Sequence, residues 1–368
     1  MSEFDLVVVG GGPAGLAASI TASRAGARTL ILERGQLPRH RVCGEFVSSE
    51  SLSLLSSLLS PEFAQILRDA PRINSARLFV DDSILTTTIQ PAAASIARYA
   101  LDSALWRAAV HAGTDARQQV TVRSIEGNSP FHVFTSVGDF VTKSVIDASG
   151  RWSNLRSIHP REDSTTSARW IGLKAHFFES ETASSVDLYF FPGGYCGVQP
   201  VGDAARNEDH EIINACAMVR ADVATTLPEV LRCHPSLLER SKGWKQAFDT
   251  VATSPLIFTS PEPVREGTLM AGDSVAFVDP FVGDGISLAL RSGALAAESL
   301  LPLIAGTVTL EQASRRYEEL YVSRLAPIFR ASSKIRRLFA LPRPVRKGLL
   351  RLFEKTPTFT QYIVHKTR

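Results

Sequence analysis

The residues best suited to chemistry stand near the start of the chain. Gly10-x-Gly12-x-x-Gly15 follows a short apolar run, Asp5-Leu-Val-Val-Val9, and opens a stretch of small residues over 16–25. A glycine at the first position permits a tight turn. At the second it lets the backbone approach a pyrophosphate, and at the third it lets a helix pack closely on its strand. The N-terminus of that helix faces the phosphate charge. Pro13 and Ala14 complete the loop. Arg28-Thr-Leu-Ile-Leu-Glu33 reads as a second strand, and Arg34 follows its acid. An acid at the end of that strand can accept ribose hydroxyls. Strand, glycine turn, helix, strand and acid together predict nucleotide binding. A glycine turn with no ligand is the bland alternative.

Little else in the chain has spacing that points to chemistry. The four cysteines, Cys43, Cys196, Cys216 and Cys233, are scattered and form no C-x-x-C pair. That pattern predicts a reduced protein and argues against disulfide exchange. No His/Cys group has ligand spacing, so no metal is expected. No side chain stands out as a general acid or base.

Positioning these residues takes more than one core. At 368 residues the chain exceeds what one hydrophobic core usually serves, so about two domains are expected. With 44% apolar and 21% charged residues it is neither disordered nor fibrous. Residues 44–70 read as helical and serine-rich, with Ser60 as an N-cap and Pro61 in the first turn. Residues 76–80 and 84–89 read as a hairpin. Residues 92–112 read as a helix, with Ile96, Ala100, Leu101, Ala104, Leu105 and Ala108 on one face. Short strands follow, ending in 144–150. Residues 171–178, 186–191, 195–201 and 211–219 read as strands whose links are too short for crossover helices, which predicts antiparallel sheet. Residues 223–250 read as helical. Residues 268–273 form another short strand ending in Gly-Asp, and 280–285 lead into a helix from Ile286 to about Leu303.

Three glycine-containing motifs, at 10–15, 147–156 and 272–285, are therefore widely separated. Their order resembles the glutathione-reductase-like FAD enzymes. The closer likeness is to the branch holding aromatic hydroxylases and geranylgeranyl reductases, and it covers most of residues 1–305. It implies that Gly10, Gly12, Pro13, Ala14 and Gly15 hold the ADP part of FAD, with Glu33 and Arg34 at the adenosine ribose. Asp147-Ala-Ser-Gly-Arg-Trp-Ser-Asn-Leu-Arg156 is similar to a hydroxylase segment, but Ser149 stands where hydroxylases usually have Asp. Its Asp-Ala-Ser-Gly form looks more like the reductases, and Gly150 is its implied cofactor contact. In the third motif the resemblance assigns Asp273, after Gly272, to the ribitol. It places Pro280, Gly283, Gly285 and Ile286 against the pyrophosphate and the flavin ring. A helix N-terminus there stabilises the anion formed on flavin reduction.

Three more segments fit the likeness. Arg98-x-x-x-Asp102-x-x-Leu105 resembles a helix whose arginine lies near the FAD phosphates; a surface arginine on a packing helix is the alternative. Arg41-Val-Cys-Gly-Glu45 resembles the reductases' Cys-Gly segment, which would put Arg41, Cys43 and Gly44 beside the isoalloxazine. A small buried thiol is the other reading of Cys43. Phe190-Phe-Pro-Gly-Gly-Tyr-Cys-Gly-Val198 is similar to a Gly-Tyr-x-Trp-x-x-Pro segment, with Gly197 in place of the Trp. Either a larger cavity or another side chain in that space is expected. Tyr195 is a candidate pocket wall, hydrogen-bond donor or plain core residue.

The expected fold is α/β. A Rossmann-type, glutathione-reductase-like FAD domain is drawn from 1–70, 91–166 and 266–329. An interleaved α+β antiparallel-sheet substrate domain comes from 71–90 and 167–265, and a basic helical tail from 330–368. The resemblance implies an FAD-dependent oxidoreductase of the geranylgeranyl reductase type, passing hydride to an alkene of an apolar, isoprenoid-like or lipid substrate. NAD(P)H would be a transient donor, since the chain has no second dinucleotide unit. The alternative is an FAD monooxygenase acting on an aromatic or polyketide-like substrate. A flavin halogenase resembles the group, but its Trp-x-Trp-x-Ile-Pro segment is absent. A non-enzymatic FAD-binding, membrane-docking module is the third reading.

Charge is unevenly spread. Residues 330–368 carry eleven Lys/Arg and one acid, Glu354, while the first 329 residues hold 29 basic and 36 acidic residues. Val345, Leu349, Leu352 and Phe353 recur at helical spacing, with Lys347, Arg351 and Lys355 on another face. Such basic amphipathic helices suit an anionic membrane surface; covering the FAD domain is the other reading. The aromatic interleaving of a nucleic-acid module is missing, so no nucleic-acid partner is expected. Met1 leads into an apolar strand with no cationic segment before it, and the expectation is a cytoplasmic protein, peripheral on the inner face of the cell membrane. Deleting residues 331–368 should abolish co-sedimentation with anionic vesicles while FAD stays bound. A truncated protein that still sediments would refute the membrane role of the tail.

Overall fold

The structure is a computed structural model and describes residues 3–151, 155, 169–202, 211–253, 256, 258, 260–277 and 283–328. Trp152, Ser153, Asn154, Arg156, Pro280 and the tail over 330–368 lie outside the described residues.

The chain opens with β1 (Phe4–Val9), α1 (Pro13–Arg24) and β2 (Thr29–Glu33). A short β3 (Phe46–Val47), α2 (Ser49–Leu58) and one-turn α3 (Gln65–Asp69) lead to a hairpin, β4 (Arg72–Val80) and β5 (Ser83–Ser95). Then come α4 (Arg98–His111), β6 (Asp115–Gln118), β7 (Val122–Gly127), β8 (Phe131–Thr135) and β9 (Asp139–Asp147). The next stretch holds β10 (Trp170–Glu179), β11 (Ser185–Phe191), β12 (Gly194–Pro200) and β13 (Glu211–Arg220). It continues with α5 (Leu227–Arg232), α6 (Pro235–Ser241), β14 (Lys245–Gln246) and β15 (Val251–Thr253). The last elements are β16 (Val264–Arg265), β17 (Thr268–Met270), a 3-10 turn at Gly272–Ser274, α7 (Gly285–Ile304) and α8 (Leu310–Arg324).

These elements form two sheets. The first runs β16-β17-β9-β1-β2-β6, with β7 and β8 attached through β9. The strands from β17 to β6 pair in parallel. β1 is buried at every position, as expected of a parallel strand covered on both faces. α1 and α7 pack on each other beside this sheet. By length and composition α7 could cross a membrane, yet 67% of it is buried inside the fold, so it serves as a core helix. Tyr317 on α8 is fully buried and donates to the Met270 carbonyl at 2.6 Å.

The second sheet runs β14-β10-β13-β12-β11-β4-β5-β3, with β15 on β10. One face is covered by α5 and α6, whose Leu227, Val230 and Leu237 join Leu173, Ala175 and Phe177 of β10 in a core. The other face looks toward the first sheet and carries Lys174, His176, Tyr195, Gly197, Asn214 and Met218, which alternate with the residues of that core.

Several expectations need correction. β11 pairs with β4 in parallel, not antiparallel. The connection from β4 to β11 passes through the first sheet and is long enough for a parallel return. The predicted helix over 92–112 begins only at Arg98, because 92–95 belong to β5. Ala93 and Ala94 pair with Ile73 and Arg72, so tertiary pairing overrides alanine's helix propensity. The second sheet therefore keeps the chain five residues beyond the boundary expected at 90. Residues 44–70 include strand β3, and Ser60 starts a turn, not a helix. Residues 223–250 split into α5, α6 and β14. The break follows His234-Pro235, where Pro235 starts α6 and His234 caps it through Ser236 N–H.

The α1–α7 contact is tight enough to test. A Cβ on Gly293 of α7 would collide with the Ala14 carbonyl of α1. Gly293→Ala should therefore destabilise the fold by roughly 3 kcal/mol, the upper end for overpacking. Urea unfolding with an unchanged midpoint would refute this packing.

Candidate active site

The glycines of the first motif divide by what a side chain would meet. A Cβ on Gly10 would strike the Ala148 carbonyl, and one on Gly15 would strike the Gly10 carbonyl. These two serve packing of β1, β9 and α1. Gly12 is different: a Cβ there meets nothing within 4 Å. It is the extended N-cap of α1, with Pro13 following and no side chain capping it. The first-turn N–H groups of Ala14 and Gly15 have no carbonyl four residues back within the helix, which suits an anionic ligand.

Glu33 lies under this loop. It is buried and accepts from Gly11 N–H at 2.8 Å on Oε2. Its Oε1 accepts from Gly35 N–H and Arg39, at 2.8 and 2.7 Å. The expected open ribose acceptor is thus also a brace for the glycine loop. Arg34 beside it is exposed.

The other two motifs meet the first one. Asp147 accepts from Ser149 N–H at 2.9 Å, and Gly150 N–H donates to Ser274 Oγ at 2.8 Å. Ala271 N–H donates to the Asp147 carbonyl at 2.9 Å. Gly272, with φ +61°, lies close over Ala14: an added Cβ would sit 2.9 Å from the Ala14 side chain. Asp273 next to it is 39% exposed, with Arg151 at 3.9 Å. Gly283 packs on Phe46, Ile286 is buried, and Gly285 at the start of α7 again has open space where a Cβ would go. The structure thus brings Gly12, Gly150, Asp273 and Gly285 to one region.

The Arg41–Glu45 segment crosses from this region to the second sheet. Arg41 lies 3.8 Å from both Glu33 and Asp102. Burial, and then the nearby Arg98, pull its pKa below the ordinary value. Arg98 is not the surface residue of the alternative reading. Its side chain is 13% exposed and grips Asp102 with two bonds of 2.9 and 2.8 Å. Burial opposes its charge, but Asp102 and then Cys43 overcome that and raise its pKa. Cys43 is half-buried against the main core, and Gly44 is exposed with open space beside it.

Sequence reasoning missed the group at the end of this segment. Glu45, Lys174 and His176 are all fully buried. Glu45 pairs with Lys174 on one oxygen and with His176 Nε2 at 2.6 Å on the other. The signal was there: Lys174 and His176 are polar at alternate positions of an otherwise apolar strand. Tyr195 proves to be buried, within an apolar cluster with Met218 and Leu256 against which Trp170, Phe190 and Phe277 pack. Gly197 leaves no vacancy for a missing indole, because Leu188 Cδ2 lies 3.2 Å from where its Cβ would be. All four cysteines are free, and no metal-ligand group occurs among the described residues.

Comparison with known proteins agrees with this geometry. Residues 5–150 match a family model described as FAD dependent oxidoreductase. The chain is 25% identical over 357 residues to digeranylgeranylglycerophospholipid reductase 2 of Methanopyrus kandleri, covering 92% of this chain and 87% of the relative. It is 24% identical over 355 residues to the flavin-dependent halogenase armH1 of Armillaria mellea, covering 85% of this chain and 67% of the relative. In fold it resembles the flavin-dependent brominase Bmp2, with TM-score 0.79 at 19% identity, covering 99% and 93% of the two chains.

The glycines make the cofactor assignment testable. Gly12→Val should fold as the native chain does, since its side chain meets open space, yet lose FAD by blocking the pyrophosphate. Asp273→Ala should also release flavin. If both variants purify with full flavin content, this map of the site is wrong. The matched N-terminal segment, the relatives that span most of the chain and the converging glycine motifs mark it as an FAD-dependent oxidoreductase, similar both to the digeranylgeranylglycerophospholipid reductases and to the flavin-dependent halogenases.

Proposed function

We propose that this oxidoreductase reduces a carbon–carbon double bond in an apolar, isoprenoid-like substrate, in the manner of the geranylgeranyl reductases. The observation that carries the reading is the apolar cluster of buried Tyr195, Met218 and Leu256, on which the half-buried rings of Trp170, Phe190 and Phe277 pack. It extends from the inner face of the second sheet to Phe277, four residues past Asp273. Arg151 covers the Phe277 ring at 4.2 Å. We propose the cluster's half-buried rings as the wall that orients an apolar chain and keeps water from the reacting carbons.

When bound, FAD supplies the redox chemistry, accepting reducing equivalents from a donor and passing them to the alkene. The protein's own part is binding and orientation. Gly12 and the first turn of α1 would hold the pyrophosphate, and Asp273 would take the ribitol hydroxyls. The N-terminus of α7 at Gly285 would lie toward the flavin and would favour negative charge there. NAD(P)H is the proposed donor, arriving transiently because the chain has a single glycine fingerprint. The basic segment 330–368 is proposed to hold the enzyme on the anionic inner face of the cell membrane, where such substrates reside.

An oxygen-using reaction, halogenation or hydroxylation, is the second reading, favoured by the halogenase among the relatives. One experiment separates the two. The protein is reduced without oxygen, then mixed either with an anaerobic lipid extract of the host or with aerated buffer containing chloride or bromide. Reoxidation by the lipid extract, well above a lipid-free control, is expected. No anaerobic reoxidation, together with a transient oxygen-dependent absorbance band, would overturn the reductase reading in favour of the second.

A further inference from the structure

We propose that Glu45 is a positioning residue for the flavin: its ion triad with Lys174 and His176 fixes the Cys43–Gly44 peptide from the side of the second sheet. The inference rests on the FAD-site reading above.

Three observations carry it. The first is the placement of charge. Glu45, Lys174 and His176 are each 0% exposed, and the pairings join loop residues to partners 129 and 131 positions away. Glu45 Oε1 also accepts from Arg98 N–H at 2.7 Å. Burial pushes the carboxyl up, but Lys174 and then His176 overcome it and hold its pKa at about 2. A buried ion group is seldom needed for stability, since apolar residues of like volume often serve as well. Its presence calls for another reason.

The second is the backbone. Glu45 sits at φ 61°, a left-handed conformation that side chains other than glycine rarely take. Such a residue persists where its surroundings fix it, and such residues cluster at functional sites.

The third is the direction of the peptide. Asn214 Nδ2 donates to the carbonyls of Cys43 and Gly44, at 3.1 and 2.9 Å. The Cys43 carbonyl therefore points at β13. In a planar trans peptide the N–H of Gly44 points the opposite way, away from the sheet. Gly44 is exposed, and a Cβ on it would meet nothing within 4 Å. The same segment continues to α7: Phe46 lies against Gly283, and Ser48 Oγ meets Ser287 Oγ at 2.8 Å. Between the second sheet and the first turn of α7, this segment presents one glycine N–H toward open space. That N–H is a donor for a polar edge of the flavin ring. Glu45 and Asn214 set its direction.

The test compares Glu45→Gln and Asn214→Ala with Arg240→Met. Arg240 anchors an ion network with Glu179 and Asp187 on the opposite face of the same sheet, so it controls for loss of a structural ion pair. FAD affinity is read by flavin fluorescence on stripped protein. The visible spectrum and midpoint potential are read on the holoenzyme, and Tm by thermal unfolding. Glu45→Gln and Asn214→Ala should each weaken FAD about tenfold, the worth of one oriented hydrogen bond, and shift the flavin band and potential. Arg240→Met should lower Tm alone. If the first two variants also lower only Tm, with native spectrum and potential, the proposal is overturned. If Glu45→Gln does not fold, Asn214→Ala decides the matter alone, because it leaves no buried charge unpaired. If Gly12→Val keeps its flavin, the FAD-site reading falls first and takes this proposal with it.

Discussion

Ala14 is where three distant parts of the chain come within backbone distance of each other. Gly272 from the third motif and Gly293 from α7 both lie where any side chain would strike it. One residue on, Gly15 makes the same demand against Gly10, and Gly10 against Ala148. These contacts fix the N-terminus of α1, the end of β9 and the flank of α7 as one rigid body. A cradle preformed in this way costs little ordering when a ligand arrives. The glycines of the three motifs that serve no packing, Gly12, Gly150 and Gly285, are left open to receive it.

The second sheet is joined to this cradle by a different kind of contact. Its inner face changes character along the strands. One end carries Trp170, Tyr195, Phe190 and Met218, which are apolar or amphipathic. The other carries Lys174, His176 and Asn214, all turned onto the Cys43–Glu45 segment. Packing defines the first half, and directional, charge-assisted bonds define the second. Bonds of that type fix orientation more strictly than apolar contacts do, so they stand where a peptide has to face one way.

The glycine fingerprint was legible because each demand falls on the local backbone: a tight turn, a close helix, an open approach. The strands β1 and β2 and the long helix α7 were legible for similar reasons, through apolar runs and small-residue periodicity. The Glu45 triad left a trace only on β10, where Lys174 and His176 are polar at alternate positions. Its partners lie on β10, and nothing near Glu45 in sequence announces a lysine 129 positions on. The surface alternative for Arg98 falls, because the structure buries its side chain and pairs it with Asp102 one helical turn away. Residues 92–95 carry helix-forming alanines, and only their partners on β4 and β3 make them a strand. The missing indole at Gly197 left two readings open, and the neighbouring strand decided it by supplying Leu188.

Near-equal likeness to a reductase and to a halogenase, 25% and 24%, follows from this division. The glycine demands fall on any chain that holds FAD in this fold, whatever its reaction. Under the proposed function, what distinguishes reactions is the inner surface of the second sheet. Here the lysine on that surface is already paired with Glu45 and fully buried, so it is turned away from any substrate. What remains for a substrate is the apolar end of the face. Hydride transfer to a carbon–carbon double bond asks for that combination, a dry wall and a fixed ring, more than it asks for an exposed charge.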